Sequence, residues 1–271
     1  MPQPLFFNEI KYIPSFEVAM HRGLWSFVVL FISLTLFNGI KDFFLLFKFP
    51  KKIIILSITA LLIATNWLGF IYSVNIGKVQ DTSLGYFLTP MINISLGYLF
   101  LSEKLNFRKV ISVLLMFFSC LILVFSSNHF PYIAILIGTT WGVYGLLRKR
   151  IQVPPALGLL FESGLITLFA LPYLVFLGVS ETGFFTYNLN YNSIMLFFTG
   201  IVTIIPLFLF NLGLKYIPLG LAGVLFYIAP SFHFITSVYV LGEYMNNYKF
   251  LAFMIIWIGV SIFIYDAIKK K

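Results

Sequence analysis

The feature that most constrains this chain is a series of apolar stretches, each about 20 residues long, separated by short polar connections. A helix rises about 1.5 Å per residue and the hydrocarbon core of a bilayer is about 30 Å thick. Stretches of this length therefore predict membrane-spanning helices near 16–38, 53–75, 80–101, 109–126, 130–147, 156–178, 192–214, 219–241 and 250–267. Charged residues make up only 10% of the 271 positions, against 60% hydrophobic, and the mean hydropathy is +0.98. A soluble domain carries about 25% charged residues. The composition excludes an ordinary cytosolic enzyme, a secreted domain and a disordered chain, and makes lipid the solvent for most of the surface.

The net charge of +9 is distributed by topology. All of the 18 basic residues except Lys11, Arg22, Lys78 and Lys249 fall in alternate connections. These connections hold Lys41 to Lys52, then Lys104 to Lys109, then Arg148 to Arg150, then Lys215, then Lys269 to Lys271. The bias of Lys and Arg toward cytoplasmic loops puts this set in the cytoplasm and explains the charge without a nucleic-acid partner. The single cysteine, Cys120, lies in an apolar run and can form neither an internal disulfide nor a cysteine metal cluster. The opening MPQPLFFNEIKY lacks the basic region and apolar core of a cleavable signal peptide.

The chain also repeats itself. At a constant offset of 140, Pro14 pairs with Pro154, Phe87 with Tyr227, Pro90 with Pro230, Glu103 with Glu243, Asn106 with Asn246 and Lys109 with Lys249. The expected domains are residues 1–126 and 127–271. Glu103 falls in a connection on the basic side and Glu243 on the opposite side, so the halves are expected to be inverted. An odd number of helices per half, five, produces this. Inverted repeats are a signature of secondary transporters, with the substrate site near the midplane at the repeat interface. The predicted fold is an all-α polytopic membrane protein of two inverted five-helix repeats, ten helices in all. The first helix is expected to be truncated, with residues 1–13 as its stub.

Several stretches resemble a known family. They are His21-Arg22-Gly23-Leu24-Trp25-Ser26, Asn66-Trp67, Ser83-Leu84-Gly85-Tyr86-Phe87 with Pro90, and Tyr144-Gly145-Leu146-Leu147-Arg148-Lys149. Gly200-Ile201-Val202-Thr203 with Pro206, and Tyr227 to Pro230 followed by Gly242-Glu243, complete the set. From about Pro14 to Asp266 the chain resembles the RarD-type permeases of the EamA family, in the drug/metabolite transporter superfamily. The resemblance implies ten helices, both termini cytoplasmic, and small-molecule transport across the bacterial inner membrane. Some members export amino acids or other metabolites, and the RarD type is linked by name to chloramphenicol sensitivity. The family's first helix carries a Trp-Gly pair that would fall at or before Met1.

The candidate substrate-binding and coupling residues follow from polarity at membrane depth. Arg22 lies about seven residues into an apolar helix, where a charge costs at least ~2.5 kcal/mol unless it meets a partner or a wet cavity. It suits recognition of a carboxylate or phosphate. Glu162 occupies the equivalent position in the second half and is a candidate proton carrier, or a partner of Arg22 in one conformational state. Asn66, Trp67, Tyr86, Trp141, Tyr144 and Tyr227 are candidates for stacking on substrate or holding a cation. Asn93 and its repeat mate His233 are candidate cavity-lining groups. Pro90, Pro206 and Pro230 interrupt helices and are candidate hinges. His21, about 100° away from Arg22 on the helix, reads as a helix-contact residue, and Glu103 as a loop-fixing one.

These features point to a secondary transporter, most simply an exporter, working by alternating access. The alternative is an N-terminally shortened remnant of such a permease that does not transport. An intramembrane enzyme is disfavoured: Asp42, Asp81 and Asp266 sit at predicted helix ends, and the chain has no HExxH, GxSxG or GxxxxGK[ST] pattern. No catalytic residue, metal or cofactor is expected. The expected partners are a small-molecule substrate, the bilayer and a coupling proton.

Overall fold

The computed structural model describes residues 3–76, 79–125, 130–186, 188, 190–228, 231 and 247–269. Its elements are α1 (Gln3–Glu9), α2 (Ser15–Leu36), α3 (Ile40–Leu45), a 3₁₀ turn (Leu46–Lys48), α4 (Pro50–Asn75), α5 (Val79–Leu101), α6 (Phe107–Phe125), α7 (Tyr132–Ile151), α8 (Pro155–Val179), α9 (Tyr191–Gly213), α10 (Leu219–Leu225) and α11 (Asn247–Lys269). No strand occurs among the described residues. A bilayer offers no partner for an exposed peptide group, and a helix satisfies its own backbone.

Among the described residues, seven helices are long and apolar enough to cross a membrane: Ser15–Leu36, Pro50–Asn75, Leu84–Leu101, Phe107–Phe125, Pro155–Val179, Tyr191–Gly213 and Phe250–Lys269. The sequence predicts nine. The span expected at 130–147 is present as the helix α7, but its glycines, threonines and final Arg148-Lys149-Arg150 hold its hydropathy down. Of the span expected at 219–241, α10 is described, and residues 229, 230 and 232–240 lie outside the described set. The connection after α2 contains the unexpected short helix α3, whose Phe43 packs against a core of Leu46, Leu56, Ile151, Val153 and Leu157.

The helix boundaries follow local rules. Proline at the N-cap starts α2 and α8 in the same conformation, with φ −53°, ψ 132° at Pro14 and φ −50°, ψ 137° at Pro154. Asn190 caps α9 by accepting the Ser193 N–H, and Asn106 caps α6 by accepting the Lys109 N–H at 2.9 Å. Four helices stop on a non-glycine residue in the left-handed region: Asn38, Ser102, Gln152 and Glu181, with φ between 51° and 56°. Glycine usually takes that place.

The helices form two compact units. One comprises residues 78–146 and 216–271, with Met1; the other comprises 2–77 and 147–215. Each therefore draws helices from both sequence halves. In the first unit α11 packs on α6, α10 on α5 and α5 on α6. Phe87, Ile94, Met116, Cys120, Tyr227, Phe253 and Ile256 share its core. The α6–α11 contact is close. Ser119 Oγ donates to the Ala252 carbonyl at 2.6 Å, and a Cβ at Gly259 would stand 3.1 Å from the Ser112 carbonyl. Moving down α6 therefore moves up α11, and the two run antiparallel. The α5–α10 pair does the same, from Ile94 beside Gly220 to Phe87 beside Tyr227.

In the second unit α2 packs on α8, α9 and α4, while α8 also meets α4 and α9. Small residues set the spacing: a Cβ at Gly200 would fall against the backbone of Trp25, and one at Gly23 against Ile166. The faces turned outward are apolar, as with Leu168, Phe169, Val175, Phe176 and Val179 along α8. Exposed faces of this kind suit lipid.

Close helix approach through small residues is a main source of cohesion in a membrane, where lipid matches side chains in hydrophobicity. Gly259→Leu is expected to force α6 and α11 apart and cost about 1–3 kcal/mol. Gly213→Ala, whose added Cβ meets nothing within 4 Å, is expected to be neutral. Thermal unfolding of the purified chain followed by size-exclusion chromatography checks both, and equal melting temperatures for the two variants would count against the packing.

Candidate functional site

Each unit buries a polar group of its own. In the second unit, α2 carries Arg22 to a buried position in which its guanidinium lies 4.5 Å from the Trp67 ring centroid and 5.2 Å from that of Phe7. Trp67 is on α4 and Phe7 on α1, so three elements surround one cation. Such contacts are worth about 2 kcal/mol once water is excluded. Asn66 is buried beside Trp67 in sequence. The short helix α1 is held by this contact and by Phe7 against Phe70, at 5.6 Å.

His21 and Trp25 face the connection between α8 and α9. Phe185 lies 5.1 Å from the His21 ring and 5.8 Å from that of Trp25. Glu17 Oε1 accepts the neighbouring Phe184 N–H at 2.7 Å, which fastens this connection to the start of α2. The two His21 nitrogens and Trp25 Nε1 are buried with no hydrogen-bond partner among the described residues. His21 thus packs against the ring of Phe185 in this connection.

Glu162, on α8, is 2% exposed. Thr59 Oγ1 of α4 donates to its Oε1 at 2.6 Å. Arg148 Nε, from the last turn of α7, stands 3.6 Å from the same oxygen. Arg148 Nε also donates to Asn211 Oδ1 of α9 at 2.8 Å, and Nη2 reaches the Pro155 carbonyl at 3.5 Å. Gly158 makes the room: any Cβ there would overlap the guanidinium. In this conformation Arg148 is an ion-pair partner of Glu162. Arg148 reads in sequence as one of a run of topogenic charges, and only its juxtaposition with the mid-helix polar residues Glu162 and Asn211 reveals its burial.

In the first unit, Asn93 on α5 has no exposure, and neither carboxamide atom has a hydrogen-bond partner among the described residues. It is enclosed by Gly142 of α7 and Gly223 of α10. Trp141 stacks between Tyr144, at 5.7 Å, and Phe226, at 5.2 Å. Tyr227 donates its hydroxyl to the Phe87 carbonyl at 3.1 Å, while Tyr86 is half-buried. Pro90 lies within α5 and Pro206 within α9. Pro230 and His233 lie outside the described residues.

Two acids have structural roles. Glu103 accepts the Leu219 N–H at 2.6 Å and the Gly220 N–H at 3.0 Å. It thereby satisfies orphan donors at the start of α10, which agrees with a loop-fixing role. Asp266 lies in the last turn of α11, as expected, but is buried there and accepts from Asn106 Nδ2 at 2.6 Å. Among the described residues no group of three His, Cys, Asp or Glu forms a metal site.

The model of the EamA-like transporter family matches the chain over residues 5–125 and 131–265. The uncharacterized transporter YojE of Bacillus subtilis (strain 168) is 34% identical over 99% of this chain and 90% of its own. Protein RarD of Escherichia coli (strain K12) is 33% identical over 98% of this chain and 90% of its own. A crystal structure 16% identical in sequence covers 99% of this chain and 96% of its own, with a TM-score of 0.69, and shares the fold.

Removing one member of a buried ion pair costs about 3–5 kcal/mol, because the other charge stays buried. Arg148→Met is expected to destabilise by that order, and Arg148→Met/Glu162→Leu to recover much of it. A double-mutant cycle on thermal stability measures the coupling, and additive costs would contradict the pairing.

Proposed function

The chain belongs to the EamA-like transporter family and is a multi-pass membrane transporter rather than an enzyme, and on that premise we propose that it carries a small metabolite or drug across the bacterial inner membrane by alternating access, as an exporter. Two inverted five-helix repeats, residues 1–126 and 127–271, provide the two states.

The observation that carries this reading is a reciprocal contact. Residues 112 and 252 are repeat mates, as are 119 and 259. Ser119 meets Ala252 while Ser112 meets Gly259. Two related elements make contacts of this kind when a pseudo-twofold axis passes between them. The helices in question are antiparallel, so the axis lies across them, in the plane of the membrane. Phe87 and Tyr227, mates themselves, touch each other. The starts of α2 and α8, of α5 and α10, and of α6 and α11 are each 140 residues apart. This supports inversion, and the bias of the basic connections supports a cytoplasmic position for both termini.

The proposed roles follow from the chemistry of each residue. Arg22 receives a carboxylate or phosphate on the substrate. The Trp67 face beneath it keeps the cation in place while leaving its donors in a rigid fork. Asn66 and Trp67 flank it, and Asn93, Tyr86, Trp141, Tyr144 and Tyr227 offer hydrogen bonds and ring faces in the first unit. His233 remains a candidate by its repeat relation to Asn93. Glu162 carries the coupling proton. Its neutral form loses the attraction to Arg148, which loosens the Thr59–Glu162 link between α4 and α8. Pro90 and Pro206 each remove a backbone donor from a helix ladder and serve as points of bending, and Pro230 remains a candidate hinge by its repeat relation to Pro90.

Reconstitution of the chain in liposomes tests the reading, with counterflow measured for a panel of amino acids, nucleosides and amphenicols. At least one class is expected to exchange. Arg22→Ala is expected to abolish exchange by at least tenfold while membrane insertion stays intact, and Glu162→Gln to flatten the pH profile. Unchanged exchange in Arg22→Ala, or a pH profile matching the parent's in Glu162→Gln, would remove that residue from the mechanism.

A further inference from the structure

The end of α7 and the end of α9 in the second unit line an open cavity of about 400 Å³. Its lining is Arg148, Lys149, Gln152, Val153, Asn211, Leu214 and Lys215. Three of these are cations and two are carboxamides. The volume falls in the range of small-molecule sites, about 300–1,000 Å³.

Topogenic charge explains why basic residues lie on this side of the membrane, but not how these are arranged. A topogenic lysine or arginine extends into water. Arg148 is instead 5% exposed, and its Nη1 has no hydrogen-bond partner among the described residues. Lys149 Nζ is held at 2.9 Å by the Leu214 carbonyl, one of the groups left unpaired where α9 ends. Gln152, in the left-handed conformation at φ 51°, turns the chain at the cavity wall. Glu162 is the acid paired with Arg148, so the three lining cations retain a surplus of positive charge. Converging cations with planar amide donors fit an oxyanion, which accepts several charge-assisted hydrogen bonds at once.

We propose that this cavity is a binding site for a carboxylate or phosphate group. The occupant is a small polar acid or the headgroup of an anionic lipid, two sources of the same chemistry. The bound group competes with Glu162 for Arg148, so occupancy loosens the α7–α8 ion pair. The site is separate from Arg22 and stands whether or not the chain transports an acid.

The test uses the full chain in detergent, with inorganic phosphate and succinate added against sodium chloride at matched ionic strength. A ligand that binds only the native state stabilises it by RT ln(1 + [L]/Kd) and so raises the melting temperature with concentration. Phosphate or succinate is expected to raise it where chloride does not. Lys149→Gln/Lys215→Gln, which alters half-buried and exposed positions outside the core, is expected to weaken the effect at least tenfold. Arg148→Lys, which keeps a cation beside Glu162 but loses the fork, is expected to weaken it as well. The lipid arm uses nanodiscs of phosphatidylcholine with and without phosphatidylglycerol, read by native mass spectrometry. Phosphatidylglycerol retained by the parent chain and lost from the double variant assigns the site to a headgroup. If neither free oxyanions nor phosphatidylglycerol distinguish the parent from the double variant, the proposal is overturned.

Discussion

Hydrocarbon cannot solvate a charge or a peptide group, and most features of this chain follow from that constraint. The backbone closes its hydrogen bonds within helices, and polar side chains at depth turn inward to find company. Arg22 lies on the rings of Trp67 and Phe7. Glu162 is held by Arg148 and Thr59, and Asp266 by Asn106. These contacts knit together helices that apolar contacts alone hold weakly, because lipid competes for the same surfaces.

Much of this organisation was legible in the sequence. The apolar stretches located the long helices to within a few residues, and the offset of 140 anticipated that α2 and α8 would start alike on Pro14 and Pro154. The loop-fixing role expected for Glu103 agrees with its hold on the start of α10. The family resemblance read from His21 to Glu243 agrees with the match to the EamA-like family over nearly the whole chain.

Other features were hidden because they depend on tertiary contact. Arg148 belongs to a run of three basic residues that topology explains fully, so nothing local marks it as buried. Its selection from the run depends on Glu162, Asn211 and the absent side chain of Gly158. Asp266 sits at a helix end, as the sequence predicts, but its burial depends on Asn106, 160 residues away, which donates to it. The spatial units were hidden for the same reason, since helices from both sequence halves meet within each. In α7 the small residues Gly138 and Gly142 allow close packing on α5, and the basic last turn lines a polar cavity.

The central claim is that the two sequence halves are inverted in the membrane. Lys109 and Lys249 are repeat mates with the same residue type, and Cys120, the single cysteine, is buried. Single cysteines placed at each lysine and treated in intact cells with a membrane-impermeant thiol reagent measure the inversion directly. Inversion predicts that Lys249→Cys is labelled from outside, whereas Lys109→Cys is labelled only after the membrane is opened. Labelling of both positions from the same side would contradict it.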